Sequence, residues 1–248
     1  MDTKLTAEGI SKSYDENPVL ENVNIKLHDQ EIVSLLGISG AGKTTLFNII
    51  SGLMQPDRGH VFLEGKEITG QAGHIAYMLQ KDLLLPYRSI VDNTALPLIL
   101  HGVPKKEARQ QASLHFAEFG LEGTQKKWPS QLSGGMRQRA ALLRTYLSSE
   151  GVALLDEPFS ALDTITKDTM HSWYLDVMQK IKLSSLFITH DIDEAILLSD
   201  RIYILAGKPG TIIAELPVTA PRPRTREFML SEDFLNYKRK IIHLLKIE

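Results

Sequence analysis

The chain has 248 residues, 43% of them hydrophobic and 23% charged, with 17 Gly, 11 Pro and no Cys, a profile that excludes collagen-like, disulfide-scaffold and disordered classes. Lys plus Arg total 28 against 30 Asp plus Glu, a net charge of -2, which argues against a nucleic-acid binder driven by phosphate neutralisation. Without cysteine there is no disulfide, thiolate metal site or Cys nucleophile, as suits a reducing compartment. The length suits one large α/β domain with an inserted subdomain. The polar start Met1-Asp2-Thr3-Lys4 lacks a signal peptide's apolar stretch. The most apolar windows, such as Leu96 to Leu100, fall far short of the roughly 20 residues of a membrane span, so a soluble chain is expected.

The first 30 residues read as strands: Val23, Ile25 and Leu27 alternate with Asn22, Asn24, Lys26 and His28, the period of a half-buried antiparallel strand. Ile32 to Leu36 is almost continuously apolar, as a strand buried on both faces of a parallel sheet would be. A helix is expected from about Lys43 to Ser51, closed by Gly52, and then a strand at Val61-Phe62-Leu63 ending in the turn Glu64-Gly65. Residues from about 84 to 150 read as mainly helical, with one helix opening at Pro104 and carrying Ala108, Ala112, His115, Phe116 and Phe119 on one face before Gly120. Strands return at 152–155, 186–189 and 201–205 with helical stretches between, the alternation of a parallel α/β sheet. A last amphipathic helix carries Phe234, Tyr237, Ile241 and Leu244 and reads as a cover for the core.

Three segments carry chemistry. Gly37-Ile38-Ser39-Gly40-Ala41-Gly42-Lys43-Thr44 fits G-x-x-x-x-G-K-[ST] between a buried strand and a helix. Its glycines let successive N–H groups turn toward phosphate oxygens, and the helix N-terminus adds positive potential. Lys43 reaches the β- and γ-phosphates, and the Thr44 hydroxyl can ligate Mg²⁺. Val152 to Leu155 is an apolar strand ending in Asp156 and Glu157, where one carboxylate can hold Mg²⁺ and the next can deprotonate water. Taken alone, that pair also suits a helix N-cap, and it does not separate an ATPase from a small-molecule kinase. Leu132-Ser133-Gly134-Gly135-Met136 opens another helix and makes a second anion-binding N-terminus, surplus to one nucleotide.

In its ordered motifs the chain resembles the ATP-binding cassette ATPases. The phosphate loop at 37–44, followed by Thr45, comes first. Gln80 follows as the Q-loop glutamine, then the signature at 132–136, Walker B at 152–157, and the D-loop Ser160-Ala161-Leu162-Asp163. His190 stands as the switch histidine, and Tyr14 matches the aromatic that stacks on adenine. Lys43 to Ser133 is 90 residues, Ser133 to Asp156 is 23, and Glu157 to His190 is 33, intervals that agree with the family.

The resemblance implies a P-loop NTPase with a RecA-like parallel core, an antiparallel β subdomain and an inserted helical subdomain. Residues 1–82 and 151–220 would form the nucleotide-binding core, 83–150 the signature subdomain and 221–248 a helical tail. It also implies ATP and Mg²⁺ as cofactors, with Thr44, Gln80 and Asp156 around the ion, and Glu157, His190, Gln80 and Lys43 as catalytic residues. Ser133, Gly134 and Gly135 would close on the γ-phosphate held by the other copy of a head-to-tail dimer, and Asp163 would be a further nucleotide-binding residue. Met136 in place of the usual Gln is similar to the nitrate/sulfonate/taurine importers and their pyrimidine-precursor relatives. So are Leu84-Leu85-Pro86-Tyr87 and Gly207-Lys208-Pro209-Gly210-Thr211-Ile212, although those importers usually have Trp at Tyr87 and Arg at Lys208. The implied partners are a second cassette, a membrane permease docking near 82–100 and an external solute-binding protein, with the chain at the cytoplasmic face and no nucleic acid. A non-transport cassette of translation or DNA repair would carry two cassettes or a coiled-coil insertion, and a P-loop kinase would need neither signature nor D-loop.

Overall fold

A computed structural model describes residues 2–222 and 224–246. Two long strands come first, β1 (Thr3–Tyr14) and β2 (Asn17–His28), then β3 (Ile32–Leu36), α1 (Lys43–Ile50), β4 (Arg58–Leu63) and β5 (Lys66–Glu67). After β6 (Ala76–Met78) the chain turns helical in α2 (Ile90–Thr94), α3 (Leu96–Leu100), α4 (Lys105–Leu114) and α5 (Gly134–Tyr146). Then follow β7 (Val152–Asp156), α6 (Thr164–Ile181), β8 (Ser184–Thr189), α7 (Ile192–Leu198), β9 (Arg201–Ala206) and β10 (Thr211–Pro217). Two helices close the chain, α8 (Arg226–Met229) and α9 (Glu232–Leu245). Among the described residues no helix is long and apolar enough to cross a membrane.

The chain divides into two compact units, Met1–Ile75 with Leu183–Glu248, and Ala76–Lys182. In the first, β1 pairs antiparallel with both β2 and β4, and Val23, Ile25 and Leu27 of β2 are fully buried while their neighbours face out. Beside this ribbon, β3 lies parallel to both β8 and β9, with β10 antiparallel on the outer side of β9. Every residue of β3 and β8 is buried, as continuous apolar runs between two covered faces require. Helices α7 and α9 cover part of this unit, and Phe234 and Ile241 of α9 point into it.

In the second unit β6 and β7 pair in parallel, Tyr77 against Leu154. Around them gather α2 to α6, with Phe116, Phe119 and Leu143 fully buried and the Arg139 guanidinium 4.8 Å from the Trp173 ring centre. The helix expected through Phe119 stops at Leu114. Phe116 and Phe119 instead lie in successive turns, with Phe116 N–H bonding Ser113 O at 3.3 Å and Gly120 N–H bonding Ala117 O at 3.0 Å. Such turns also put residues three apart on one side, so the apolar spacing is the same for both.

Candidate functional site

In the first unit the phosphate loop leaves the end of β3. A Cβ on Gly37 would lie 2.4 Å from Leu205 O of β9, so only glycine lets the loop start here. Gly40 and Gly42 take φ of 81° and 93°, the left-handed region that side chains avoid, and Gly42 caps α1. Lys43 is buried, and its Nζ donates to Gly37 O at 2.7 Å and Ile38 O at 2.9 Å, folding the ammonium across its own loop. Ile38, Ser39, Gly40 and Thr44 are exposed, Ala41 is buried, Thr45 is half-buried, and no acidic residue stands in the first turn of α1. The result is an accessible helix N-terminus with no acid beside it, the Ala41 N–H being turned to Ile38 O at 3.3 Å.

Tyr14 ends β1 and is 45% exposed, its hydroxyl donating to Met54 Sδ at 3.3 Å. The ribbon before it is pinned by Asp57, which accepts from Lys12 Nζ at 2.7 Å and Ser13 N–H at 2.6 Å. The Lys12 hydrogen bond holds the Asp57 carboxyl below its usual range. His190 lies exposed just past β8. On one side Thr189 Oγ1 bonds Glu194 Oε2; on the other Asp191 caps α7, accepting from Asp193 N–H at 3.0 Å and Glu194 N–H at 3.2 Å. Both flanks of the histidine are thus held by α7.

In the second unit β7 is buried throughout and ends at Asp156, itself 8% exposed. The acidic pair does not cap a helix; α6 starts later and is capped by Asp163, which accepts from Thr166 N–H at 3.1 Å and Thr166 Oγ1 at 2.6 Å. Tyr77 of the paired strand donates its hydroxyl to Asp156 Oδ2 at 3.4 Å. Burial, and then the Asp156 charge, push the phenol's pKa up, so it stays a donor at neutral pH. Glu157 adopts φ of 45°, a strained conformation for a side-chain-bearing residue. Gln80 Nε2 donates to Glu157 Oε2 at 3.0 Å and Ser160 Oγ at 3.4 Å, while Ser160 N–H and Oγ donate to Glu157 O at 3.1 and 3.0 Å. Gln80, Glu157 and Ser160 therefore form one cluster.

The signature occupies the N-terminus of α5 in the same unit. Ser133 is its exposed N-cap, accepting from Met136 N–H at 3.3 Å, and the first turn carries no acid. Gly134 and Gly135 bring this end close to Leu162 and to Thr166 and Met170, 3.4 to 3.6 Å from where a Cβ would stand. Further along α5, Arg137 Nε donates to Asp82 Oδ2 at 3.1 Å, and Arg144 donates to Asp82 O and Leu83 O at 2.6 and 2.8 Å. The helix that opens with the signature thus grips the backbone two residues beyond Gln80. Sequence reasoning missed Tyr77, Asp82, Arg137 and Arg144. The available signal was two arginines seven apart on one helix.

Of the apolar residues after Gln80, Leu84, Ile90 and Val91 are buried, whereas Leu83, Leu85 and Tyr87 are exposed, Tyr87 by 90%. Tyr87, Leu114 and Trp128 line a groove of about 840 Å³ within this unit, with Asp92 and Arg109 also on its wall. Arg109 grips Asp92 through two 2.7 Å hydrogen bonds, which hold that carboxyl down at about 2.

Residues 20–160 match the family described as ABC transporter. The formylaminopyrimidine import ATP-binding protein ThiZ of Halalkalibacterium halodurans is 47% identical over 224 residues, spanning 90% of this chain and 88% of that protein. The nitrate import ATP-binding protein NrtD of Synechocystis is 36% identical over 233 residues, 92% of this chain and 88% of its own. Among solved structures, the dimeric post-hydrolysis state of the cassette MJ0796 bound to ADP and Pi has a TM-score of 0.73 at 28% identity, covering 88% of this chain and 100% of that one. With more than half its length matched and such relatives spanning most of the rest, the chain belongs to the ABC transporter family, as one of its P-loop ATPase cassettes.

Proposed function

We propose that two copies of this chain enclose ATP between them and that its hydrolysis drives solute uptake through a separate permease. The observation that carries this reading is the second exposed helix N-terminus, at Ser133 with no acid in its first turn, which one nucleotide on the phosphate loop leaves unused. In a head-to-tail pair each such end would meet the γ-phosphate held by the other copy, with Asp163 lying at the same junction.

Each residue then has a task that its setting suits. The loop amides from Gly37 to Thr45 cradle the phosphates, and Lys43 exchanges its two carbonyl acceptors for phosphate oxygens. The exposed Tyr14 ring offers a stacking face to adenine. Thr44, Gln80 and Asp156 are hard oxygen donors of the kind Mg²⁺ takes beside phosphate and water. No described cluster of three or more His, Cys, Asp or Glu offers an all-protein cage. When bound, the ion neutralises phosphate charge. Gln80 has two functional ends: its N–H₂ already meets Glu157, leaving its carbonyl oxygen for the ion and water. Glu157 accepts the water's proton, and His190 hydrogen-bonds the γ-phosphate.

The groove beside Tyr87, Leu114 and Trp128 suits an amphipathic helix of the permease, its aromatic faces supplying the apolar contact. The import names of the relatives support uptake, assisted by an external solute-binding protein, with this chain at the cytoplasmic membrane face. A nitrate-, sulfonate-, taurine- or pyrimidine-precursor-like solute fits that group. The test is phosphate release from ATP with no added acceptor, followed over a dilution series. Turnover per chain should fall as the protein is diluted through its self-association range. A flat profile, or a requirement for an acceptor, would count against the proposal.

A further inference from the structure

The segment Gly207 to Gly210 takes no part in the function proposed above, yet it lies against the phosphate loop. Gly210, between β9 and β10, donates its N–H to Val19 O at 2.9 Å and accepts from Glu21 N–H at 3.1 Å. It thereby forms a single parallel bridge to Leu20 of β2. A Cβ on Gly210 would stand 2.2 Å from Ala41 O and 3.4 Å from Val19 O, and its φ lies outside the left-handed region. Glycine is therefore required here for space and not for conformation. The Cβ that Gly42 lacks would lie 2.8 Å from Leu20 Cδ2, 3.2 Å from Val19 Cγ1 and 3.2 Å from Val19 O. The Ala41–Gly42 peptide thus sits in a slot walled by the Gly210 backbone and by Val19 and Leu20. Gly210 is buried and Leu20 is 1% exposed, so these two have little room to retreat.

This slot bears on the loop's donors because a peptide group is planar. Ala41 C=O and Gly42 N–H belong to one plane, so pushing the oxygen aside turns the N–H with it. We propose that Gly210 is a positioning residue for nucleotide binding: its bare backbone sets the plane of the Ala41–Gly42 peptide and hence the aim of the loop's amides. The inference rests on the phosphate loop holding ATP.

The full-length chain is titrated with MgATP and, separately, with magnesium tripolyphosphate, by calorimetry. Wild-type protein that failed to bind ATP would refute the nucleotide reading itself. Given wild-type binding, Gly210→Ala should weaken both ligands at least fivefold and by similar factors, because the contact serves phosphate and not base. Gly65→Ala, whose Cβ meets nothing within 4 Å at φ of 78°, is the control: it should lower Tm through backbone strain while leaving both affinities unchanged. A folded G210A protein with less than fivefold loss overturns the proposal. Should G210A fail to melt cooperatively, Val19→Ala decides. Trimming the side chain that packs against Gly42 should weaken MgATP at least twofold, and a smaller change overturns the proposal.

Discussion

Glu157 sits in a left-handed backbone conformation at the end of a fully buried strand, with its carboxylate held by Gln80 and its carbonyl by Ser160. Strain of this kind costs on the order of 1–3 kcal/mol and persists only where the surroundings impose it. Under the proposed assignment, Glu157→Gln removes the charge that accepts a proton while keeping size and a hydrogen-bond acceptor for Gln80. It should retain ATP and lower phosphate release by at least about 100-fold, the usual share of a general base. The mutant should also elute as a nucleotide-bound dimer in size-exclusion chromatography. Phosphate release at the wild-type rate would remove Glu157 from the role of base. The acidic pair itself was legible because a buried strand must deliver its last residue to the sheet's carboxyl edge. The Gln80 contact was not, since it joins residues 77 apart that only the fold brings together.

Helix α7 shows how an element beside the site is fixed from a distance. It has only seven residues, so its unsatisfied terminal groups outnumber its internal bonds. Arg224, 7% exposed, donates to Ile196 O and Leu197 O at 3.0 and 3.4 Å, and to Ser199 O as well. Arg222 takes Leu198 O at 2.9 Å. Two arginines of the tail therefore satisfy all four carbonyls at this helix end. Burial, and then Arg222, bring the pKa of Arg224 down to about 10, still well above neutrality. Arg224→Met keeps the bulk and removes the donors, and should cost about 2–3 kcal/mol, a fall of roughly 5–10 °C in Tm by calorimetry. An unchanged Tm would show that water satisfies those carbonyls unaided. None of this was legible in the sequence, where the tail showed only its amphipathic stripe. Likewise β6 is three residues long, too short for any period to register, whereas β3 and α9 carried runs long enough to declare their type.

At the scale of the whole molecule, the order and spacing of the motifs were the most legible feature, because each is a short local device: a glycine-lined turn, a capped helix or a strand ending in acids. The Ala41 slot and the Arg137 and Arg144 grip on Asp82 and Leu83 are long-range contacts and left no such trace. The proposed dimer makes a demand that no single chain can meet, namely that each catalytic centre takes its phosphate loop from one copy and its signature from the other. Ser133→Arg places bulk and charge at the α5 N-terminus and should abolish turnover while leaving ATP binding at the phosphate loop. Lys43→Ala removes the cation that meets the phosphates and should abolish turnover too. In an equal mixture, half the dimers pair one variant with the other. Each of these holds one centre with wild-type Lys43 facing wild-type Ser133, so turnover should return to about a quarter of wild type if centres act independently. Two copies related by a twofold axis, each complete alone, would gain nothing from mixing. Phosphate release measured on each variant and on the mixture separates the cases, and a mixture as inactive as its components would break the link between the second anion-binding helix and catalysis.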